Sequence, residues 1–309
     1  MAWGGFLVLI FALLAIDLGV FHKDDHPIRP KEAAITTGVW VGIALAFNAG
    51  IWYWLGKTAA LQFLTGYLIE YSLSVDNIFV FIMIFAFFQV PDHYRHRVLF
   101  WGILGALIMR AVLIAVGAAL IGAFHWMLYL FGAFLVFSAT RMAMADDDGV
   151  SPEQNPVIGL ARKLFPISEQ YHGSQLFARE DGRRIATPLF LVLLVVETTD
   201  VMFALDSIPA IFAISTDTFI VFTSNIFAIL GLRSLYFLLD GVMGLFRFLK
   251  YGLSAVLGFI GLKMLLSHWV EIGTGLSLLV VVGILAIAII ASLLFPDRSP
   301  ATSKKKDPA

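Results

Sequence analysis

The chain contains no cysteine. Disulfides, thiolate metal sites and dithiol redox chemistry are therefore excluded. Charge is also scarce: Asp, Glu, Lys and Arg make up 14% of the residues, where an average soluble domain carries about 25%. A net charge of −1 gives no electrostatic handle for nucleic acid, and no nucleic-acid partner is expected. A basic n-region is missing as well. The opening Met1-Ala2-Trp3-Gly4-Gly5 leads directly into an apolar run, which reads as a retained helix and not as a cleaved signal peptide.

Apolar side chains dominate instead. Hydrophobic residues are 60% of 309, too many to hide in a single soluble core, so the lipid bilayer must be the solvent. A spanning helix needs about 20 mostly apolar residues. Nine stretches qualify: Trp3 to Phe21, Ile35 to Leu55, Leu61 to Phe88, Val98 to Phe124, Trp126 to Ala143, Thr187 to Ile214, Phe219 to Val242, Tyr251 to Leu266 and Gly273 to Phe295. The expected fold is an all-α polytopic membrane protein. Sixteen of the 21 Lys and Arg residues fall in the odd-numbered loops and the C-terminal tail, and one, Lys57, in the even-numbered loops. By the positive-inside rule the sixteen are cytoplasmic, which puts the N-terminus outside and the C-terminus inside. The one long loop, Met144 to Ala186, opens with Asp146-Asp147-Asp148, holds an amphipathic stretch from Val157 to Phe165 and contains the turn-prone Glu180-Asp181-Gly182. It reads as a solvated linker with an interfacial helix.

The third and sixth spans resemble each other. Glu70, five residues, then Asp76-Asn77-Ile78 is matched by Asp200, five residues, then Asp206-Ser207-Ile208. The fourth span carries Ile103-Leu104-Gly105 and Arg110, and the seventh carries Ile229-Leu230-Gly231 and Arg233. The fifth ends Thr140-Arg141-Met142 and the eighth Leu262-Lys263-Met264. Residues 61–143 and 187–268 thus read as one three-helix unit used twice. An odd-numbered unit in tandem points opposite ways, which makes this an inverted repeat of the kind found in secondary transporters. Two spans precede it in residues 1–60, the loop 144–186 divides it, and residues 269–309 hold the last span and a basic tail.

Five acids, Glu70, Asp76, Glu197, Asp200 and Asp206, lie deep in these spans. A charged residue at a helix centre costs about 2.5–3.5 kcal/mol on insertion scales, and intramembrane acids mark sites by default. Arg110, Arg141, Arg233 and Lys263 are the counter-charges or gates available within or at the ends of spans. The ligand atoms on offer are carboxylates, the Asn77 amide, the hydroxyls of Thr199 and Ser207, and backbone carbonyls. No histidine falls in the middle of the repeated spans. An oxygen-only set suits Mg²⁺, Ca²⁺ or Mn²⁺ better than Zn²⁺ or Cu⁺. At about 100° per residue, positions six apart lie about 120° apart around a straight helix. Glu70 and Asp76 then cannot share a face, nor can Asp200 and Asp206, whereas Glu197 and Asp200 can. A core site from Asp76, Asn77, Asp206 and Ser207, extended by Glu70, Glu197 and Asp200, therefore requires broken helices, and Pro209 would leave the Leu205 carbonyl without its helical partner. Asn48 and Asn225 read as interhelical hydrogen-bond partners.

Glu70 to Asn77, Glu197 to Ser207 and the run Thr223-Ser224-Asn225-Ile226-Phe227-Ala228-Ile229-Leu230-Gly231-Leu232-Arg233 resemble the TerC family of membrane proteins, and the whole chain its Alx-type bacterial members. That family was named for tellurite resistance, stands near the LysE-type exporters, and has members implicated in Mn²⁺ export and members labelled redox modulators. The resemblance implies Mn²⁺ efflux across the bacterial inner membrane, with Glu70, Asp76, Asp200 and Asp206 at the family's acidic positions. The metal, Mn²⁺ or alternatively Ca²⁺, is then cargo and not cofactor, and proton antiport is open through Glu70, Glu197 or Asp200. No enzymatic activity is expected. Paired intramembrane aspartates could serve a protease, but the usual Gly-x-Gly-Asp signature is absent before both Asp76 and Asp206. A redox or tellurite-resistance factor, or a scaffold that metallates exported proteins, is the alternative.

Overall fold

The structure is a computed structural model that describes residues 2–20, 30–124, 126–144, 156–164, 166–168, 170–173, 175–180, 183–239 and 248–295. Its long helices are α1 (Ala2–Val20), α2 (Pro30–Leu55), α3 (Lys57–Phe87), α4 (Asp92–Ala123), α5 (Met127–Met144), α7 (Pro188–Phe212), α8 (Thr218–Leu230), α9 (Leu232–Leu239), α10 (Leu249–Leu265) and α11 (Thr274–Leu294). Each span expected from hydropathy coincides with one of these helices, except the seventh, which is built from α8 and α9. Among the described residues six helices, α2, α3, α4, α5, α7 and α11, are long and apolar enough to cross a membrane. The α8–α9 pair, bent by 41°, makes a seventh. The expected nine is therefore not reached on that measure, since α1 and the 17-residue α10 fall outside it. In a bilayer core no water satisfies the backbone, so helices are the form these apolar runs must take. Trp52, Tyr53 and Trp54 stand exposed at the end of α2, where amphipathic rings anchor a helix at a membrane–water interface.

Short turns hold the helices antiparallel. One residue, Gly56, separates α2 from α3, and its φ of 88° lies in the left-handed region that a side chain disfavours. The α3–α4 turn uses Gln89 at φ 49° and places Pro91 immediately before the first turn of α4, where its missing N–H is no loss.

The helix pairing is orderly. The α3 helix packs on α8 and α7, α7 packs on α4, and α5 packs along α10. Exchanging α3 with α7, α4 with α8 and α5 with α10 returns the same set. At the α5–α10 crossing Gly132 and Gly261 face each other so closely that a Cβ on Gly261 would sit 2.8 Å from the Gly132 carbonyl oxygen. Farther along, the Ser254 hydroxyl donates to the Ala139 carbonyl at 2.7 Å.

Two expectations are corrected. No break occurs at Asp76 or Asp206: α3 and α7 are continuous through both. Near Asp76 no Pro or Gly interrupts α3, and Pro209 stands one turn from the end of α7, where the loss of a single N–H is offset by burial of every residue from Ser207 to Phe212. The interior break falls at Gly231, between α8 and α9. The long loop is also more than a linker. Its amphipathic helix α6 (Pro156–Leu164) buries Ile158 and Ala161 and packs on α7, so it is docked on the bundle. It is followed by an antiparallel hairpin of β1 (Phe177–Glu180) and β2 (Arg183–Ala186). The Tyr171 hydroxyl donates to the Phe88 carbonyl at 2.7 Å, tying the loop to the end of α3. The Asp146-Asp147-Asp148 run lies outside the described residues.

Candidate functional site

Continuity of α3 and α7 decides which acids meet. On α3, Glu70, Ser74 and Asn77 are spaced i, i+4, i+7, which aligns them on one face, and all three are fully buried. On α7, Asp200, Ala204 and Ser207 repeat that spacing and are buried too. Asp76 and Asp206, each one residue before the last member of its stripe, point about 100° away and are only partly buried. The four residues expected to form a core site thus divide. Asn77 and Ser207 join the stripes of Glu70 and Asp200, while Asp76 and Asp206 turn to the flanks.

Arg110 on α4 lies where the stripes converge, and it is among the largest fully buried side chains. Its Nη1 pairs with Glu70 Oε1. Its Nη2 donates to Asp200 Oδ1 at 3.2 Å and its Nε to Asp200 Oδ2 at 3.4 Å, a two-point grip that a planar guanidinium can make and an ammonium cannot. Nη1 also reaches Ser207 Oγ at 3.4 Å and Asn225 Oδ1 at 3.5 Å. Five side chains from four helices, α3, α4, α7 and α8, therefore share one buried interior. Asn225 is an interhelical hydrogen-bond partner, as expected. Several polar atoms remain without a hydrogen-bond partner among the described residues: Ser74 Oγ, Asn77 Oδ1 and Asn225 Nδ2, while Glu70 is held by the Arg110 ion pair alone. Buried polar atoms in folded proteins are nearly all satisfied, so this group stands out. Thr199 is not part of it, because its hydroxyl donates to the Val195 carbonyl of its own helix at 2.7 Å.

Glu197 stands beside this cluster. Its carboxylate fills a notch in α4 at Gly105, where any Cβ would overlap it. Gly102, one turn earlier, admits Val196 in the same way, its notional Cβ 3.2 Å from Val196 Cγ1. A cavity of about 10 Å³, lined by Gly102, Ala106, Arg110, Val196 and Asp200 among others, adjoins the cluster. It is close to the space one water needs.

The remaining charges have other surroundings. Asp206 accepts a hydrogen bond from Ser138 Oγ at 2.6 Å and lies within electrostatic reach of Arg141. Asp76 lies within reach of Lys250. Arg233, expected to share the role of Arg110, contacts His96 instead, Nη2 to Nδ1 at 3.0 Å. Lys263 lines a cavity of about 250 Å³ with Gln62, Ser215 and Ser267. Among the described residues no three His, Asp or Glu side chains gather closely enough to hold a metal ion. The site instead presents two acids from different helices, closed on an internal cation. Sequence reading passed over Ser74, Ser138, Lys250 and the seating role of Gly105. The i, i+4, i+7 spacing was the signal for Ser74, and for the others there was none.

Comparison with known proteins places the chain. A family described as "Integral membrane protein TerC family" matches residues 55–300. A membrane protein of Myxococcus xanthus is 49% identical over 97% of this chain and 94% of its own length. A protein of Escherichia coli (strain K12), "Putative membrane-bound redox modulator Alx", is 48% identical over 93% of this chain and 92% of its own. A membrane protein of Rickettsia bellii is 38% identical over 95% and 97%. No solved structure matches. With the family signature over most of its length and full-length relatives at this identity, the chain belongs to the TerC family of integral membrane proteins.

Proposed function

We propose that this protein exports a hard divalent cation, Mn²⁺ in the first place and Ca²⁺ in the second, across the bacterial inner membrane. One observation carries the reading: Glu70 and Asp200, from helices that correspond in the two three-helix segments, meet at Arg110 in a buried interior that offers oxygen ligands. Asn77 and Ser207 stand on the same faces and complete the first shell. Asp76, Asp206 and Glu197, turned aside, serve the path of the cation or of a proton counter-ion. Arg110 is the counter-charge of the empty site. An uncompensated pair of buried carboxylates would cost several kcal/mol per ion, and a guanidinium between them offsets part of that penalty until a cation arrives.

Two segments related as an inverted repeat support the same reading, because such repeats place the substrate at their interface near the bilayer midplane. The helix pairings are those a twofold exchange would produce. The sixteen-to-one split of basic residues supports an outside N-terminus and an inside C-terminus. The redox function named for the Escherichia coli relative would have to act here without thiols, since the chain has no cysteine. A change in metal balance gives a non-thiol route to such an effect.

Metal flux in proteoliposomes tests the proposal. Wild type moves Mn²⁺, Glu70→Gln and Asp200→Asn fall to the empty-vesicle background, and Asp76→Ala and Asp206→Ala fall less. Equal Mn²⁺ flux in wild type, Glu70→Gln and Asp200→Asn would falsify the site.

A further inference from the structure

Glu197 is a carboxylate that stands outside both the Arg110 cluster and the first shell proposed above. Among the described residues it has neither an ion pair nor a hydrogen bond, and it is held against the backbone of α4 at Gly105, where a Cβ would displace it. Gly105 is five residues before Arg110 on the same helix, and Glu197 is three residues before Asp200 on α7. A residue five positions on stands about 7.5 Å farther along a helix, and helical side chains lean toward the N-terminus. Arg110 therefore leans back along α4 toward the level of Gly105. On α7, Glu197 shares a face with Asp200, three residues on, and lies within its electrostatic reach. A guanidinium that lets go of Glu70 while held by Asp200 has one unpaired acid a single turn away on the same helix.

We propose that Glu197 is the second docking position of Arg110, and that the divalent cation enters by displacing the guanidinium from Glu70 and Asp200 onto Glu197. Arg110 is then a tethered stand-in for the cargo. The charges support this. Glu70, Asp200 and Glu197 carry three negative charges, and Arg110 with a divalent cation carries three positive ones, so the loaded cluster is neutral inside the membrane. A neutral loaded cluster has no residual charge to desolvate as the protein changes conformation. Glu197 acts through Arg110 and is a positioning residue, not a ligand. This inference rests on the cation reading of Glu70 and Asp200.

The test is a double-mutant cycle on the full-length chain in nanodiscs, with Mn²⁺ as the probe and binding read from the loss of the free-ion EPR signal. Glu197→Gln removes the second dock, so Arg110 competes harder for Glu70 and Asp200, and Mn²⁺ affinity falls at least about tenfold, at the low end of coupling between close charge pairs. In an Arg110→Gln background the competitor is gone, and adding Glu197→Gln changes affinity by less than about twofold, inside the scatter of uncoupled sites. Gly105→Ala fills the notch with all four charged residues retained, and it reproduces the loss of affinity in the same Arg110-dependent way. Arg110→Met, close in volume to the lost side chain, provides a second background if Arg110→Gln is recovered unfolded. Equal losses from Glu197→Gln in both backgrounds would make Glu197 a direct ligand and overturn the proposal, and so would the absence of any loss in wild type. A wild-type protein that binds no Mn²⁺ overturns the cation reading itself, a separate failure.

Discussion

The two three-helix segments, 61–143 and 187–268, use related sequences to different ends. In the first, the middle helix α4 runs 32 residues without a break and delivers Arg110 into the acids. In the second, the middle span bends by 41° at Gly231, and Arg233 just beyond the bend meets His96 of α4. The packing around the two helices differs accordingly. Almost every residue of α8 from Ile220 to Leu230 is buried, whereas α4 buries one side and presents Trp101, Ile108, Val112 and Val116 outward. Only α4 combines an exposed back with a small-residue face, Gly102, Gly105 and Ala106, close enough to α7 for an arginine to reach across. Similar motifs in the two segments thus meet different surroundings, and Arg110 holds one acid from each segment, Glu70 and Asp200.

Removing the two arginines should separate them most sharply. Arg110→Gln leaves Glu70 and Asp200 buried without their cation, a change expected to destabilise by about 3–5 kcal/mol. Arg233→Gln is expected to lose about 1–2 kcal/mol, the range for a buried polar contact. Unfolding of the detergent-purified variants by heat or denaturant gives the order, and an Arg233 loss as large as that of Arg110 would break the contrast. Excess Mn²⁺ should restore more stability to Arg110→Gln than it adds to wild type, because in the variant the cation is the missing counter-charge.

What could be read in advance follows the range of the interactions. Hydropathy located the helices to within a few residues because lipid imposes apolar length locally, one helix at a time. The acids were visible because a charge in an apolar span is conspicuous by itself. Their partners were not, since Arg110 meets Asp200 across 90 positions of chain, and no local pattern encodes that approach. The i, i+6 geometry correctly separated Glu70 from Asp76, but the remedy inferred from it, broken helices, was wrong. Pro209 signals a break only where packing does not hold the turn, and Gly231, the site of the real bend, looks like any other glycine in a helix. The strand pair β1–β2 sets Arg179 against Arg184 and Glu180 against Arg183, a pattern without the alternation that marks a strand.

Between the segments, the α5–α10 crossing is a close contact of backbone with backbone. A Cβ on Gly132 would meet the Gly261 carbonyl oxygen at 3.0 Å and Met264 Cβ at 2.9 Å, whereas one on Gly258 would meet Ala139 Cβ at an ordinary 3.6 Å. Gly132→Leu is expected to destabilise by about 1–3 kcal/mol through overpacking, and Gly258→Ala by less than about 0.5 kcal/mol. Comparable losses at both would mean that the crossing is not the pinch point. A smaller difference separates the flanking acids. Asp206 has a short hydrogen bond from Ser138 and Asp76 has no such hydroxyl partner among the described residues, so Ser138→Ala should cost about 1 kcal/mol. Its effect should vanish in an Asp206→Asn background if the bond to the carboxylate is the whole of it.

The smallest effect expected is at the bend. Gly231 adopts φ −79° and ψ −9°, a right-handed conformation open to any residue, and a Cβ there would find Trp40 Cβ at 3.5 Å and Tyr71 Cε2 at 3.7 Å, both ordinary contacts. Neither backbone freedom nor space then requires glycine, and the bend is set by the packing of α8 and α9 on α2 and α3. Gly231→Ala should therefore leave stability within about 0.5 kcal/mol of wild type, with the higher helix propensity of alanine, about 1 kcal/mol at most, acting in its favour. The informative comparison is between stability and transport in that variant. Stability at the wild-type level together with slowed Mn²⁺ flux would show that the bend changes angle during the cycle and that alanine stiffens it, giving the second segment a moving part that the unbroken α4 lacks. Stability and flux both at the wild-type level would make the bend a fixed feature of the fold, and the asymmetry between the segments would then rest on the arginines alone.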